Sequence, residues 1–325
     1  MSKTSYVDAA IAALREEMQR DASVWALGED LGRGGVFGQY KGLQGEFGPD
    51  RIADTPISES AIMGAALGAA MTGTRPVVEM RFSDFALCAV DELVNQAAKA
   101  RYMFGGQARA PLVVREPVGM WGYLAAQHSQ SLESWYTHIP GLVVLAPATP
   151  ADVKGLLKSA IRCDDPVVFL EHKNLWSMEG EVPGGMDELA PIGKANIVRA
   201  GNDITLVSWS AMVHECSKAA DRLAGESIEA EVIDLRSLWP WDEEAVFASL
   251  RKTGRLVIVQ EAVTTSGFGA EIAARAAETC HGDLKAPIQR LGSPRVPVPY
   301  APPLEDELRI TPEMIAKAAR SAVED

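Results

Sequence analysis

Cysteine is scarce in this sequence, and the four present, Cys88, Cys163, Cys216 and Cys280, lie far apart with no CxxC pair or Cys/His cluster. That spacing argues against a zinc site and against a disulfide framework. Isolated thiols suit a reducing compartment. Basic charge is also short: 31 Lys and Arg face 44 Asp and Glu, a net charge of −13. Nucleic acid and anionic membrane surfaces both call for a basic patch, so neither is an expected partner. Long apolar runs are missing; the longest, around residues 61–71, falls far short of a membrane span. The opening residues lack the apolar core of a signal peptide, and a cytoplasmic location is the expectation. There is no G-x-x-x-x-G-K-[ST] phosphate loop, no H-E-x-x-H zinc helix and no G-x-S-x-G nucleophile elbow.

What is present is an alternation of helix and strand patterns over 325 residues, a length that fits two domains of about 150 residues. Val7, Ala10, Ile11, Leu14 and Met18 recur at helical spacing and predict a helix over 6–20. Further helices are predicted over 60–72 and 91–104. Short apolar runs at 76–80, 112–115, 142–146 and 167–170 read as buried strands. Between the last two, Thr149 is the expected N-cap and Pro150 the first residue of a helix whose apolar face is Val153, Leu156, Leu157 and Ile161. Around 179–191 the composition shifts to Gly, Pro and acidic residues, which reads as a linker. The alternation then resumes with strands at 204–208, 231–235, 255–260 and 288–291 and helices at 211–223, 242–251 and 269–279. A last helix is capped by Thr311 and Pro312. Such alternation implies parallel sheets covered on both faces. The expected fold class is therefore α/β, with two parallel-sheet domains at 1–180 and 196–325 joined by a linker at 181–195.

Three segments could carry chemistry. Gly267-Phe268-Gly269 precedes a helix, but Ile272 stands where a dinucleotide fingerprint needs Gly or Ala. These glycines read as a turn that starts a helix, ahead of a rival reading as a nicotinamide site. In Asp54-Thr55-Pro56-Ile57-Ser58-Glu59-Ser60, Pro56 keeps Thr55 out of a helix and Ser58 or Ser60 can cap the helix that follows. Glu59 then sits at a helix N-terminus, where a carboxylate complements the macrodipole. The helix behind it, rich in Gly and Ala, has almost no polar face and is expected to be buried. A carboxylate at its mouth needs a partner. In Ala126-Gln127-His128-Ser129-Gln130-Ser131, His128 lies among small and hydrogen-bonding residues after a strand and a Gly-containing loop, a location where α/β sites form. His138 reads as structural.

Taken together, Gly28-Glu29-Asp30, the Asp54–Glu59 segment, Phe82-Ser83-Asp84-Phe85, Arg101–Gly106, Ala126–Ser131, His138-Ile139-Pro140-Gly141, Leu235-Arg236-Ser237-Leu238 and Gly267–Glu271 resemble the beta subunits of the thiamine diphosphate-dependent first component of 2-oxo acid dehydrogenase complexes, with pyruvate, branched-chain and acetoin dehydrogenases among the relatives. The resemblance implies a thiamine pyrimidine-binding domain followed by a transketolase C-terminal-like domain. It assigns Glu59 to the aminopyrimidine ring nitrogen of thiamine diphosphate, favouring the iminotautomer that deprotonates the thiazolium carbon. It also assigns Phe85 and Ile57 to the faces around that ring, and His128 to charged intermediates and acyl transfer to lipoamide.

Enzymes of this kind hold the diphosphate through Mg²⁺ on a Gly-Asp-Gly motif, which is absent here. The resemblance implies that an alpha subunit carries that half of the site, in an alpha2beta2 heterotetramer that serves a lipoyl-bearing acyltransferase. It further implies a monovalent cation, K⁺, on the backbone carbonyls of Leu112, Ala160, Ile161, Cys163 and Asp165, with Cys163 standing where Asp is common. Acetoin or pyruvate is the expected substrate. The alternatives are a branched-chain 2-oxo acid, or a non-catalytic structural subunit. Trp121-Gly122-Tyr123 places two large aromatics where relatives carry small residues, just ahead of His128.

Overall fold

The computed structural model describes residues 2–185 and 187–324. They form two compact units, the first running to Val118 and including Trp135–Ile192, the second comprising Gly119–Ser134 and the chain from Gly193 onward. In the first unit the strands are β1 (Ser2–Ser5), β2 (Val24–Gly28), β3 (Ile52–Asp54), β4 (Arg75–Glu79), β5 (Val113–Val118), β6 (Val143–Leu145), β7 (Val167–His172) and β8 (Glu179–Val182). Six of them form a parallel sheet in the order β6-β7-β5-β4-β2-β3, and β1 pairs antiparallel with β8. Every residue of β5 and β7 is buried, as central parallel strands covered on both faces require.

The helices of this unit begin with α1 (Tyr6–Arg20), α2 (Leu43–Phe47), α3 (Glu59–Met71), α4 (Ser83–Ala86) and α5 (Ala98–Met103), followed by α6 (Glu133–Thr137) and α7 (Pro150–Arg162). Helix α7 begins as its sequence predicts, with Thr149 Oγ1 accepting from the Asp152 amide at 3.1 Å and Pro150 in the first turn. It packs on α1, where buried Lys158 Nζ meets Glu16 at 2.8 Å and Arg162 holds fully buried Glu17 at 2.7 Å. The helix predicted over 91–104 is π-helical at Glu92–Ala97 before continuing as α5. In the His138–Gly141 turn the glycine is obligatory. Gly141 has φ +101°, and a Cβ there would lie 1.9 Å from the Ala98 carbonyl oxygen.

Two domain expectations shift. Of residues 181–195, read from composition as linker, 193–195 belong to the second unit and 181–192 to the first. There Ser159 Oγ donates to the Ala190 carbonyl at 2.6 Å, and only a glycine at 155 lets Ala190 approach so closely. Residues 119–134, read as part of the first domain, are held by the second unit.

In that second unit, β9 (Asn196–Arg199), β10 (Ile204–Ser208), β11 (Ala230–Asp234), β12 (Ser237–Trp239), β13 (Leu256–Val263) and β14 (Gln289–Ser293) accompany α8 (Met212–Ala224), α9 (Glu243–Thr253), α10 (Phe268–Cys280), α11 (Pro302–Asp306) and α12 (Pro312–Glu324). The sheet order is β14-β13-β10-β11-β9, parallel except for β9, which pairs antiparallel at the edge. Edge strand β9 escapes the sequence pattern because its side chains are mostly exposed. Gly267 and Gly269 start α10, as the turn reading expects. The Gly269 amide donates to Gln260 Oε1 at 2.9 Å, and a Cβ on Gly267 would meet Gln260 Nε2 at 1.8 Å. Among the described residues no helix is long and apolar enough to cross a membrane.

Candidate functional site

Because the first unit's main sheet is parallel, the C-terminal ends of its strands share one edge, the edge at which open α/β sheets build sites. Gly28-Glu29-Asp30 leaves β2 there, with Arg81 bonded to Glu29 at 3.1 Å and to Asp30 at 3.3 Å. The Asp54–Glu59 segment leaves β3, and Asp54 Oδ1 accepts from the Gly32 amide at 2.8 Å. The Phe82–Phe85 turn leaves β4. Gly28 has no room for a side chain, since a Cβ would stand 2.8 Å from the Glu79 carbonyl oxygen.

Glu59 is the first residue of α3 and is half-buried. Among the described residues its carboxylate has no hydrogen bond or ion pair, so a favourable dipole position is left with an open acceptor. Ile57, two residues earlier, is 75% exposed, an apolar side chain with nothing of its own unit to cover it. Phe85 is half-buried and meets Phe82 edge-to-face with ring centroids 5.8 Å apart. Helix α3 packs on the turn at Leu87–Ala89, which follows the short helix α4 that carries Phe85. An apolar surface, an aromatic face and an unpartnered carboxylate fit a flat heteroaromatic ring bearing a nitrogen. One expectation needs correction: α3 is buried on one side only. Ile62, Met63, Ala66, Leu67 and Ala70 face the core, whereas Ala61, Ala65 and Gly68 are exposed, because its small residues leave both faces equally apolar.

The sequence reading missed the charged cluster buried behind this edge. Arg115 is 1% exposed and clasps Glu171 with two bonds, Nε to Oε2 at 2.7 Å and Nη2 to Oε1 at 2.9 Å. Its guanidinium lies 5.0 Å from the centre of the Tyr40 ring and 3.9 Å from Glu79. One guanidinium thus faces two carboxyls. Burial above all, with Glu171 adding to it, pushes the Glu79 carboxyl up to about 7 against the pull of Arg115. Next along β5, fully buried Glu116 accepts from Ser83 Oγ at 2.8 Å, and burial pushes its carboxyl up to about 8. The signal available was a charged residue within or at the end of a buried strand: Glu79 closes β4, Arg115 and Glu116 stand inside β5, and Glu171 is next to last in β7.

His128 lies in the second unit, half-buried, in the segment 119–134. That segment is fastened to β13 and to the residue after β10. The Met120 amide donates to Glu261 Oε1 at 2.8 Å, Ser131 Oγ donates to the same atom at 3.3 Å, and Trp209 Nε1 donates to Glu133 Oε1 at 3.2 Å. Ahead of His128, Gly122, Tyr123 and Ala125 all have positive φ, between 57° and 64°, a conformation that costs the two non-glycine residues about 1 kcal/mol or more each. A cavity of about 360 Å³ opens beside this segment, lined by Ser129, Ser131, Glu261, Arg295 and Val298 among others.

The five carbonyls assigned to a monovalent cation belong to the opposite edge of the first unit's sheet, and they do not fit one. Arg75, the first residue of β4, donates Nη1 to the Ile161 carbonyl at 3.0 Å and to the Cys163 carbonyl at 2.8 Å, and Nη2 to Asp164 at 2.7 Å. The Ala160 carbonyl accepts from the Cys163 amide and the Leu112 carbonyl from the Val167 amide, while the Asp165 carboxylate pairs with Arg101 at 2.6 Å. The guanidinium supplies the positive charge that these oxygens would otherwise attract, and repels a second cation. Exchanging K⁺ for choline should therefore leave the thermal midpoint unchanged. A K⁺-specific rise of more than about 4 °C, equivalent to ~1 kcal/mol or more, would restore the cation assignment. Among the described residues no group of three or more His, Cys, Asp or Glu is placed to hold a metal ion.

Comparison with known proteins identifies the domain families. The transketolase pyrimidine-binding domain family matches residues 2–178, and the transketolase C-terminal domain family matches residues 193–315. The acetoin:2,6-dichlorophenolindophenol oxidoreductase beta subunit of Cupriavidus necator is 49% identical, covering 96% of this chain and 95% of its own length. The 2-oxoisovalerate dehydrogenase beta subunit of Bacillus subtilis is 45% identical over all of both chains. A mitochondrial pyruvate dehydrogenase beta subunit of Dictyostelium discoideum is 44% identical, covering 96% of this chain and 89% of its own. The structure of a split-gene transketolase, an inactive beta4 tetramer, shares the fold with a TM-score of 0.78 at 22% identity, covering 98% of each chain. The chain belongs to the family of transketolase-like beta subunits of the first component of 2-oxo acid and acetoin dehydrogenases.

Proposed function

We propose that this beta subunit binds the aminopyrimidine end of thiamine diphosphate and, with an alpha subunit, cleaves acetoin or pyruvate and passes the acetyl unit to lipoamide. The observation that carries this reading is the unpartnered Glu59 carboxylate at the start of α3, beside exposed Ile57. Half-buried at a helix N-terminus, this acceptor is open to a hydrogen-bond donor on a ligand. When bound, thiamine diphosphate supplies the carbon nucleophile for the substrate carbonyl. Glu59 holds a proton at the aminopyrimidine nitrogen. Phe85 offers a ring face and Ile57 an apolar wall that excludes water. His128 exchanges a proton with the substrate oxygen as charge develops there.

Mg²⁺ and the diphosphate belong on this reading to the alpha subunit, in an alpha2beta2 assembly. The exposed small-residue side of α3 offers a surface on which a second helix can come close. The C. necator relative favours acetoin and its two-carbon acyl unit, while the aromatics Trp121 and Tyr123 mark a departure from the relatives' pattern. The B. subtilis relative keeps a branched-chain 2-oxo acid as the second reading.

The test is co-expression with the candidate alpha subunit and dye-reduction assays on acetoin, pyruvate and branched-chain 2-oxo acids. Turnover with acetoin or pyruvate, and none from the chain alone, is expected. Turnover by the chain alone with thiamine diphosphate and Mg²⁺ would overturn the two-subunit site. Activity confined to branched substrates would select the second reading.

A further inference from the structure

Glu116 is the buried acid that the proposed chemistry leaves unused. It lies in β5, fully buried, and among the described residues no cation faces it. The groups around it are Ser83 and Asp84 of α4 and Tyr136 of α6. Ser83 Oγ donates to its Oε2 at 2.8 Å. Among the described residues its Oε1 and the buried Tyr136 hydroxyl have no other hydrogen-bond partner, and the Glu116 carboxyl and the Tyr136 hydroxyl interact with each other. An ionised carboxyl here would be an uncompensated charge next to a second acid, which desolvation strongly disfavours. The Ser83 and Tyr136 hydroxyls can serve the carboxyl in either form, so burial with Asp84 alongside and no facing cation is what selects the neutral acid, whose proton can be donated to the tyrosine oxygen while Oε2 keeps the serine bond. Ser83 opens the short helix that carries Phe85, and no side chain caps that helix.

We propose that Glu116, held as the neutral acid, is a positioning residue that pins the Ser83–Ala86 turn and so sets Phe85 against the cofactor ring. The proposal rests on the reading of Phe85 given above, and it has a pH signature. Burial raises this carboxyl from 4.5 to about 8, so the folded chain keeps a proton that the unfolded chain has released over that interval. The contribution to stability is complete below pH 4.5 and is lost as pH rises through 8.

The test uses the reconstituted enzyme with Glu116→Gln, Glu116→Ala and Phe85→Ala. Thiamine diphosphate affinity is read by fluorescence titration, and amide exchange over residues 82–87 by mass spectrometry. Gln is isosteric with the neutral acid, so Glu116→Gln should stay within about twofold on both readouts, while Glu116→Ala weakens cofactor binding by about tenfold and speeds exchange of the turn. The fall in the urea midpoint between pH 6 and 9 should be smaller in Glu116→Gln, with the part due to Glu79 remaining. Equal damage from Gln and Ala would show that an ionised carboxylate is needed and overturn the proposal. Unchanged exchange in Glu116→Ala would also overturn it. If Glu116→Ala does not fold, the pH slope of Glu116→Gln decides: an unaltered slope rejects the neutral acid. Phe85→Ala separates the two readings, because full cofactor affinity in that variant removes Phe85 from the site while the exchange result still judges Glu116.

Discussion

Glu59→Gln in the assembled enzyme should lower kcat by at least about 100-fold at saturating cofactor, the scale expected for loss of a group that places a proton in the reacting system. The side chain keeps its length and its place at the first position of α3, so helix and fold should be untouched. An amide offers the ring nitrogen an N–H donor in place of a proton shared with a carboxylate, and the tautomer it supports cannot take up the thiazolium proton. Glu59→Asp, one methylene short, should fall between the two. Dye reduction in the reconstituted enzyme measures the effect, with circular dichroism confirming the fold. Wild-type turnover in Glu59→Gln would remove this residue from the chemistry and leave the structural-subunit alternative standing.

Glu171→Ala should destabilise the chain by about 3–5 kcal/mol, the cost of leaving a buried partner charge uncompensated. Arg115 is 1% exposed and donates two bonds to Glu171, so the substitution strands a guanidinium in the sheet. Glu79, 3.9 Å away, is the only other carboxylate the cluster offers it among the described residues. Removing Glu171 also removes a repulsion that holds the Glu79 carboxyl up, so Glu79 ionises more readily and recovers part of the loss. Two consequences can be measured by urea denaturation. The loss should shrink as pH rises from 6 to 8, and Glu79→Gln should cost more in the Glu171→Ala background than alone. Additive effects at every pH would show that the two carboxyls do not share Arg115. The same cluster makes the parent chain less stable in alkali. The raised carboxyls of Glu79, at about 7, and Glu116, at about 8, contribute fully below their unfolded values near 4.5, and that contribution fades as pH climbs through 7 to 8.

Wherever a local rule governs, the sequence reading and the structure agree. Thr149 and Pro150 start α7 because an N-cap hydroxyl and a preset φ act within one turn. Gly267 and Gly269 resolve as a helix start because Gln260 fills the space above them. Disagreement appears where distant parts of the chain decide. Residues 119–134 read as part of the first domain, yet Glu261 and Trp209, more than 70 residues on, hold them in the second unit. The carbonyls of Ile161 and Cys163 were assigned by resemblance to a cation, yet Arg75 of β4 donates to both.

By itself the sequence determined the α/β class, the run of elements and the chemical types that could act, because periodicity, caps and motifs are local and survive without coordinates. Glu59 and His128 stood out as candidates in that way, and Phe85 through the resemblance alone. Only the tertiary structure decided which charges are shared and which stand alone. Among the described residues it left Glu59 without a partner, set one guanidinium between Glu79 and Glu171, and buried Glu116 beside Ser83 and Tyr136. Charge state and positioning depend on what crosses from neighbouring strands, and a parallel sheet brings together residues as far apart as Glu79 and Glu171, which no spacing along the chain reveals.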